Sequence, residues 1–384
     1  MALDLRTGAD AAAQWRMRAL AAGALATGLA IVLAIALRAA LPAAAGARVP
    51  PDAAAAEHSP EERRPRPDVR VVALGDLTFG VTPSLPERGS AGLLAALRPV
   101  LARADIALGN LETPLTDRDV SKCAAGASGC FAFRAPPAYA DGLRRSGLTV
   151  LNVANNHAND AGAEGLADTV DALDDAGLAH TGRPGEIAML RAGTRRIAVI
   201  GFAPYPWAQD LLDIEAAHEL VAQAAKDADL VIVTMHAGAE GVDRTHVRPG
   251  EEWYLGEPRG DPLAFARAVV DAGADLVVGH GPHVLRGLEW YRGRLIAYSL
   301  GNASGHDTLS TSGMLGISAA LDVTLAPDGG WRRGRLVSLQ LIDDGRPALD
   351  DARRARDLVA GLSREDFGRH GAVLSPRGQI VPAG

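Results

Sequence analysis

Five groups of polar residues in this chain have the types and spacing to do chemistry, and each follows an apolar run. They are Gly75-Asp76, Asn110-Leu111-Glu112, Asn155-Asn156-His157 with Asp160 just beyond, His236-Ala237-Gly238, and Gly279-His280-Gly281-Pro282-His283. The set offers carboxylates, asparagine amides and imidazoles, but no thiolate. Such donors suit hard or borderline divalent ions: Mn, Fe(II), Zn or Mg. A carboxylate able to bridge, flanked by His and Asn, is what two ions ~3.5–4 Å apart need to activate water and clamp both oxygens of an in-line displacement. Taken singly, a His after a strand reads as a turn or core residue, and Asp76 or Glu112 as a helix cap. The metal reading rests on the agreement of independent strand ends.

The elements that must position these groups alternate. Strands are predicted at Val69–Leu74, Ile106–Leu108, Leu148–Val153, Arg196–Gly201, Leu230–Met235 and Leu276–Val278. Helices are predicted at Leu93–Ala102, Ala138–Ser146, Gly165–Ala176, Ala216–Ala225 and Leu263–Ala272. In Gly165–Ala176, Leu166, Val170 and Leu173 share one face. Further strands follow in hairpin rhythm at Val284–Glu289, Leu295–Ser299, Gly316–Leu325 and Leu336–Ile342. A last helix is predicted at Ala348–Leu362 with Pro347 near its start. Strands alternating with helices and then a meander predict an α/β fold with a mixed sheet. The main domain is read as residues 69–345, and 346–384 as a C-terminal helix and a loosely held tail from His370. Ligands in such folds gather outside the carboxyl ends of the strands, where the polar groups lie.

The chain has 384 residues, 48% of them hydrophobic, which excludes a wholly disordered protein. A net charge of −7 provides no basic footprint for nucleic acid. Ala19–Leu37 carries no charge and follows Arg6, Arg16 and Arg18. As a helix it would just span a ~30 Å hydrocarbon core. The expected organisation is a cytoplasmic N-terminus (1–18), a single-pass transmembrane signal-anchor (19–41) and a Pro/Ala/charged linker (42–68), with the remainder extracytoplasmic. The small residues Leu41–Ala47 leave open a cleaved signal and a secreted product. In that setting a disulfide between the two cysteines, Cys123 and Cys130, is the natural reading, with two free thiols as the alternative.

The ordered motifs resemble those of the CapA/PgsA poly-gamma-glutamate capsule synthesis proteins. Phe133-Arg134-Ala135-Pro136-Pro137 and Tyr298-Ser299-Leu300-Gly301-Asn302 belong to the same resemblance, which runs from about Val69 to Gly305. The family is similar to calcineurin-like metallophosphoesterases, so the resemblance implies a four-layer α-β-β-α sandwich. It also implies roles. Asp76, Glu112, Asn156, His236, His280 and His283 match metal ligands, Glu112 being the bridging carboxylate. His157 matches the histidine that stabilises the substrate oxyanion. Asp160 is read either as the residue orienting His157 or as a plain turn carboxylate. Two departures concern the first metal: Leu77-Thr78 stand where phosphoesterases have x-His after the Asp, and one extra residue separates His280 from His283. The implied cofactor is one or two divalent ions.

Arg134, Arg244 and Arg259 are candidates to hold an anionic surface polymer, the alternatives being a surface salt bridge for Arg134 and a solvated loop with a structural aromatic anchor for the stretch of the other two. Glu240 falls in a Gly-rich loop expected to shape specificity. The first reading is thus a membrane-held metal-dependent hydrolase or transferase of capsule or poly-gamma-glutamate synthesis, working with other capsule synthesis proteins. The alternatives are a non-catalytic component that binds polymer or partners, and a generic metallophosphatase.

Overall fold

Strand β1 (Val69–Thr78) shows how the architecture follows from the sequence. Successive strand residues point to opposite faces, so a strand buried on both sides reads as a continuous apolar run. Val69, Val71 and Ala73 enter one apolar cluster, and Val72 and Leu74 enter another. The computed structural model describes residues 68–382 apart from Gly126. The expected N-terminal segment, membrane span and linker lie outside these residues up to position 67. Among the described residues no helix is long and apolar enough to cross a membrane.

β1 sits within an eight-stranded sheet. Its parallel part comprises β1, β2 (Ile106–Leu111), β3 (Val150–Asn152) and β4 (Ala179–Thr181). A second sheet has six strands. It contains β5 (Ala188–Ala192), β6 (Arg195–Phe202), β7 (Leu230–His236), β10 (Leu276–His280), β11 (Leu288–Tyr291) and β12 (Arg294–Ala297). A short hairpin, β8 (Trp253–Tyr254) and β9 (Glu257–Pro258), stands apart from both sheets. The first sheet is completed by β13 (Asn302–Gly305), parallel to β1, and by the meander β14 (Ile317–Leu325), β15 (Trp331–Ile342) and β16 (Arg346–Leu349).

The inner faces of the two sheets share one core, in which Val71, Ile106 and Leu321 meet Ile197, Val199, Leu230 and Val278. Helices cover both outer faces. The first sheet is covered by α1 (Gly89–Leu93), α2 (Arg98–Leu101), α3 (Tyr139–Ser146) and α4 (Gly162–Asp175), through Leu93, Leu143, Leu166 and Leu173. The second is covered by α5 (Ile214–Asp227) and α6 (Pro262–Asp271), through Val221, Phe265 and Val269. Asp213 and Asp261 start these two helices by accepting the backbone N–H of Ala216 and Ala264.

Three expectations change. The helix expected at Leu93–Ala102 is broken, because Pro99 has no N–H to donate and sits instead in the first turn of the separate short helix α2. Pro347 lies in β16, an edge strand, where proline removes no needed ladder bond, and the last helix, α7, is Arg354–Phe367. The tail beyond His370 pairs as β17 (Val373–Leu374) with β18 (Ile380–Val381), and Leu374 and Ile380 enter the inter-sheet core.

Candidate metal centre

The carboxyl ends of the central strands of both sheets meet at one polar cluster. A bulge in β1 places its first carboxylate. Ala73 pairs with Leu108 but Asp76 with Asn110, so β1 spends one more residue than β2 over this step. A one-residue bulge exchanges the two faces of a strand. Leu77 and Phe79 therefore join Val72 and Leu74 on the helix side, and Asp76 turns inward. Gly75 is required here, because a Cβ would lie 1.9 Å from the Gly301 carbonyl oxygen. Beyond the bulge, Asn152, Asn110, Asp76 and Asn302 stand in register across β3, β2, β1 and β13. In the second sheet, His236 and His280 stand in register on β7 and β10.

The asparagines hold this row. Asn152 Nδ2 donates to Asn110 Oδ1 (2.9 Å), and Asn110 Nδ2 donates to Asp76 Oδ1 (2.8 Å) and lies 3.2 Å from His236 Nδ1. Asn155 donates to Asn110 Oδ1 and to the Leu111 carbonyl, while its own Oδ1 accepts the His157 N–H. Asn302 Oδ1 lies 2.9 Å from His283 Nδ1. His283 has φ 60°, a left-handed conformation that costs a non-glycine residue about 1–3 kcal/mol and that clusters at functional sites.

One ligand atom each from Asp76, Glu112 and His283 lie within 4.8 Å of one another. His236 Nε2 and His283 Nε2 are each 3.7 Å from Glu112 Oε1, and His280 Nδ1 is 3.6 Å from Asp76 Oδ1. Both Glu112 oxygens, Asn156 Oδ1, His236 Nε2 and both His280 ring nitrogens are buried with no hydrogen-bond partner among the described residues. So many orphaned groups of this chemistry in one place is the expected state of a cation site seen as protein alone. The charges agree. Burial and the Asp76 charge push Glu112 well up. Burial raises Asp76, but His283, His280 and His236 outweigh it and hold it well below the carboxylate range. Burial lowers His236, and lowers His280 to about 4. Burial also pulls on His283, yet Glu112, Asp76 and Glu240 raise it to about 10. Two acids stand side by side with only imidazoles to balance them, and the donor set fits a divalent ion.

His157 is built differently. Asp160 Oδ2 lies 2.8 Å from its Nδ1 and also accepts the Phe133 N–H, while Oδ1 meets Lys122 Nζ at 2.7 Å. A carboxylate only accepts, so Nδ1 carries the proton and Nε2 is the ring nitrogen left free to act. Phe133 stacks on the ring at 4.1 Å. Burial lowers the His157 pKa despite Asp160.

The cluster opens into a cleft of about 580 Å³. Asn156, His157, His283, Glu240 and Arg259 line it. Glu240 joins the site directly, with Oε1 accepting from Asn156 Nδ2 (3.2 Å) and Oε2 3.7 Å from His283 Nε2, and Arg259 backs it by an ion pair. Arg134 and Arg244 are placed elsewhere. Arg134 holds the Arg118 carbonyl and Asp119, and Arg244 is half-exposed beside Asp243. Cys123 and Cys130 are joined by a disulfide, and Cys130 borders the cleft. The framing role of Asn110, Asn152 and Asn155 and the direct contact of Glu240 with Asn156 and His283 went unassigned in the sequence; the signal for the former was an Asn recurring at successive strand ends.

Two facing mixed sheets with a carboxylate–imidazole cluster at their joined strand ends define an α/β protein with a candidate metal site. The model of the family described as bacterial capsule synthesis protein PGA_cap matches residues 70–305, and the chain belongs to that family. It is 30% identical over 318 residues to the capsule biosynthesis protein CapA of Bacillus anthracis, covering 76% of this chain and 68% of the relative. It is 30% identical over 248 residues to the PGA biosynthesis protein CapA of Bacillus subtilis, covering 60% of this chain and 61% of the relative. Among solved structures, a 5′-nucleotidase precursor from Thermus thermophilus overlays with a TM-score of 0.40 at 16% identity, covering 78% of this chain and 59% of that one.

Proposed function

We infer that this member of the capsule synthesis family is a metal-dependent hydrolase or transferase acting on a cell-surface polymer, held at the cell membrane by its N-terminal segment and facing outward. Its partners on this reading are that polymer, the membrane and other capsule synthesis proteins. The observation that supports it best is the convergence of orphaned, buried donors from both sheets. Asp76, Glu112 and His283 would hold an ion, with Asn156 Oδ1, His236 and His280 as the remaining donors. A bound divalent ion supplies Lewis acidity and lowers the pKa of water. The rest falls to the chain. Asp160 fixes the His157 ring, so that Nε2 can exchange a proton with, or hydrogen-bond to, the oxygen that gains charge. Phe133 covers one face of that ring and limits its access to water.

The test is elemental analysis of the purified full chain together with turnover of bis-p-nitrophenyl phosphate. Bound divalent metal is expected, and His157→Ala should keep that metal while losing ~10²–10⁴ in rate. A well-folded chain that takes up no Mn, Fe(II) or Zn would overturn the metal reading. Full capsule output from a strain carrying His157→Ala would leave a binding component in place of an enzyme.

A further inference from the structure

The walls of the cleft differ from its floor. Lys122 and Arg259 line it, paired with Asp160 and Glu240, and so does the basic His283, whose Nδ1 lies 3.2 Å from Asp76 Oδ2. Glu240 and Glu257 also line it, so the formal charges of Lys122, Arg259 and the two acids cancel. Arg134 and Arg244 make their bonds elsewhere. Among the described lining residues, no unpaired cation waits for a polyanion. Away from the metal floor, an oligo-γ-glutamate, with a carboxylate on every unit, would meet two acids and no free base.

The walls do offer flat apolar faces beside polar edges. Tyr205 and Trp207 stack at 5.0 Å and 11°, and Trp207 Nε1 is anchored on the Asn155 carbonyl, next to the metal-site loop. Phe131 is 66% exposed and Leu255 is 77% exposed, and both line the cleft. Leu255 bears two costs at once. It lies at the tip of the β8–β9 hairpin with φ 50°, followed by Gly256 at 83°, a turn with two left-handed residues for which Asn-Gly is the favoured pair. A leucine there is strained and solvent-facing, which is a poor choice for stability alone. Around these faces stand hydrogen-bonding groups on several sides: Glu257, Thr308, Ser310 and the Tyr205 hydroxyl. These groups bond within the protein, Tyr205 to Glu257, Thr308 with Thr78 and Ser310 with Ser312, and each keeps lone pairs that a hydroxyl-bearing ligand can use while a planar hydrocarbon cannot. A sugar ring has an apolar face for the aromatic and leucine side chains and hydroxyls for the edges.

We propose that this cleft receives an uncharged saccharide unit, its face against Trp207, Leu255 and Phe131 and its hydroxyls on Glu257, Thr308 and Ser310. The assignment deepens the hydrolase reading and rests on it for what happens to the bound unit, but binding can be measured separately. The experiment is isothermal titration of the metal-loaded full chain, in a detergent without a sugar headgroup. The probes are chitotetraose, cellotetraose, maltotetraose and tetra-γ-glutamate. At least one neutral tetrasaccharide should bind, with little change between low and high salt. Leu255→Asn creates the favoured Asn-Gly turn, so the fold is safe. It should weaken that binding about tenfold, and Phe131→Ser should do likewise. Tighter, salt-sensitive binding of tetra-γ-glutamate would overturn the proposal. So would the failure of all three saccharides while the metal remains bound, or saccharide binding unmoved by both substitutions. Loss of the metal itself would instead count against the hydrolase reading.

Discussion

Two buried aspartates of the same sheet have opposite surroundings. Asp322 on β14 is gripped by Arg70 through two bonds of 2.8 Å and by Arg335 at 2.9 Å. Burial raises its pKa, but the two guanidinium groups outweigh it and the group is held below its ordinary value. Asp76 on β1 has one amide, one long backbone contact and imidazoles, and beside it the Glu112 carboxylate has no hydrogen bond among the described residues. Asp322 is part of the scaffold. The Asp76–Glu112 pair is a cost that the scaffold bears: two acids in a dry place, arranged for a cation. The difference teaches that burial of a charge is uninformative until its partners are counted.

Glu112 allows the most forceful attempt to break this comparison. A metal that binds the folded chain alone should stabilise it by about 2.7 kcal/mol at a hundredfold excess over Kd. Glu112→Met should abolish that gain, yet leave the metal-free chain at least as stable as the parent, since an apolar group replaces a buried acid whose oxygens have no hydrogen bond among the described residues. Urea titration of both chains, with and without Mn, measures it. A Glu112→Met variant that is much less stable without metal would make Glu112 a structural residue like Asp322. The reverse substitution should behave in the opposite way. Asp322→Asn breaks charge-assisted bonds to two arginines and should cost about 1.5–3 kcal/mol, with metal content unchanged. An unchanged denaturation midpoint would show that the Arg70–Asp322–Arg335 group is only a surface ornament.

Much of this was legible beforehand, for a definite reason. Strands buried on both faces must be apolar throughout, so a polar residue ending such a run has to be explained by the site, and Asp76, Glu112, His236 and His280 announce themselves in that way. What was not legible depends on register. The bulge at Gly75 cannot be seen in a strand whose two faces are both apolar, because exchanging the faces leaves the pattern intact. The alignment of Asn152, Asn110, Asp76 and Asn302 is a property of four strands that are distant in the chain. Pro347 was misplaced because a proline that opens a helix and one that blunts an edge strand have similar neighbours. The arginines were the least readable, since their partners decide whether they face a ligand: Arg134 turns to Asp119, and Arg259 to Glu240 in the cleft.

Glu186 supplies the finest test of the rule that partners decide. Its carboxylate is mostly buried, like Asp322, but one of its partners is a histidine, His180, at 2.8 Å, the other being Arg183. Burial raises the Glu186 pKa, but the hydrogen bonds from His180 and Arg183 outweigh it and bring it from 4.5 to about 2. The same bond to Glu186, opposed by burial, raises His180 above its ordinary 6.5. The signs then fix a window. The depressed acid contributes stability that is fully present above 4.5 and is lost as pH falls toward about 2. The raised histidine contributes stability that is fully present below 6.5 and is lost as pH rises through its folded value. The pair is therefore worth most between 4.5 and 6.5. The unfolding free energy of the parent minus that of Glu186→Gln should form a low plateau there and decline on both sides. A difference that stays flat through the histidine side would assign the whole effect to Arg183, whose charge does not titrate in this range, and would place Glu186 with Asp322 in the permanently paired class.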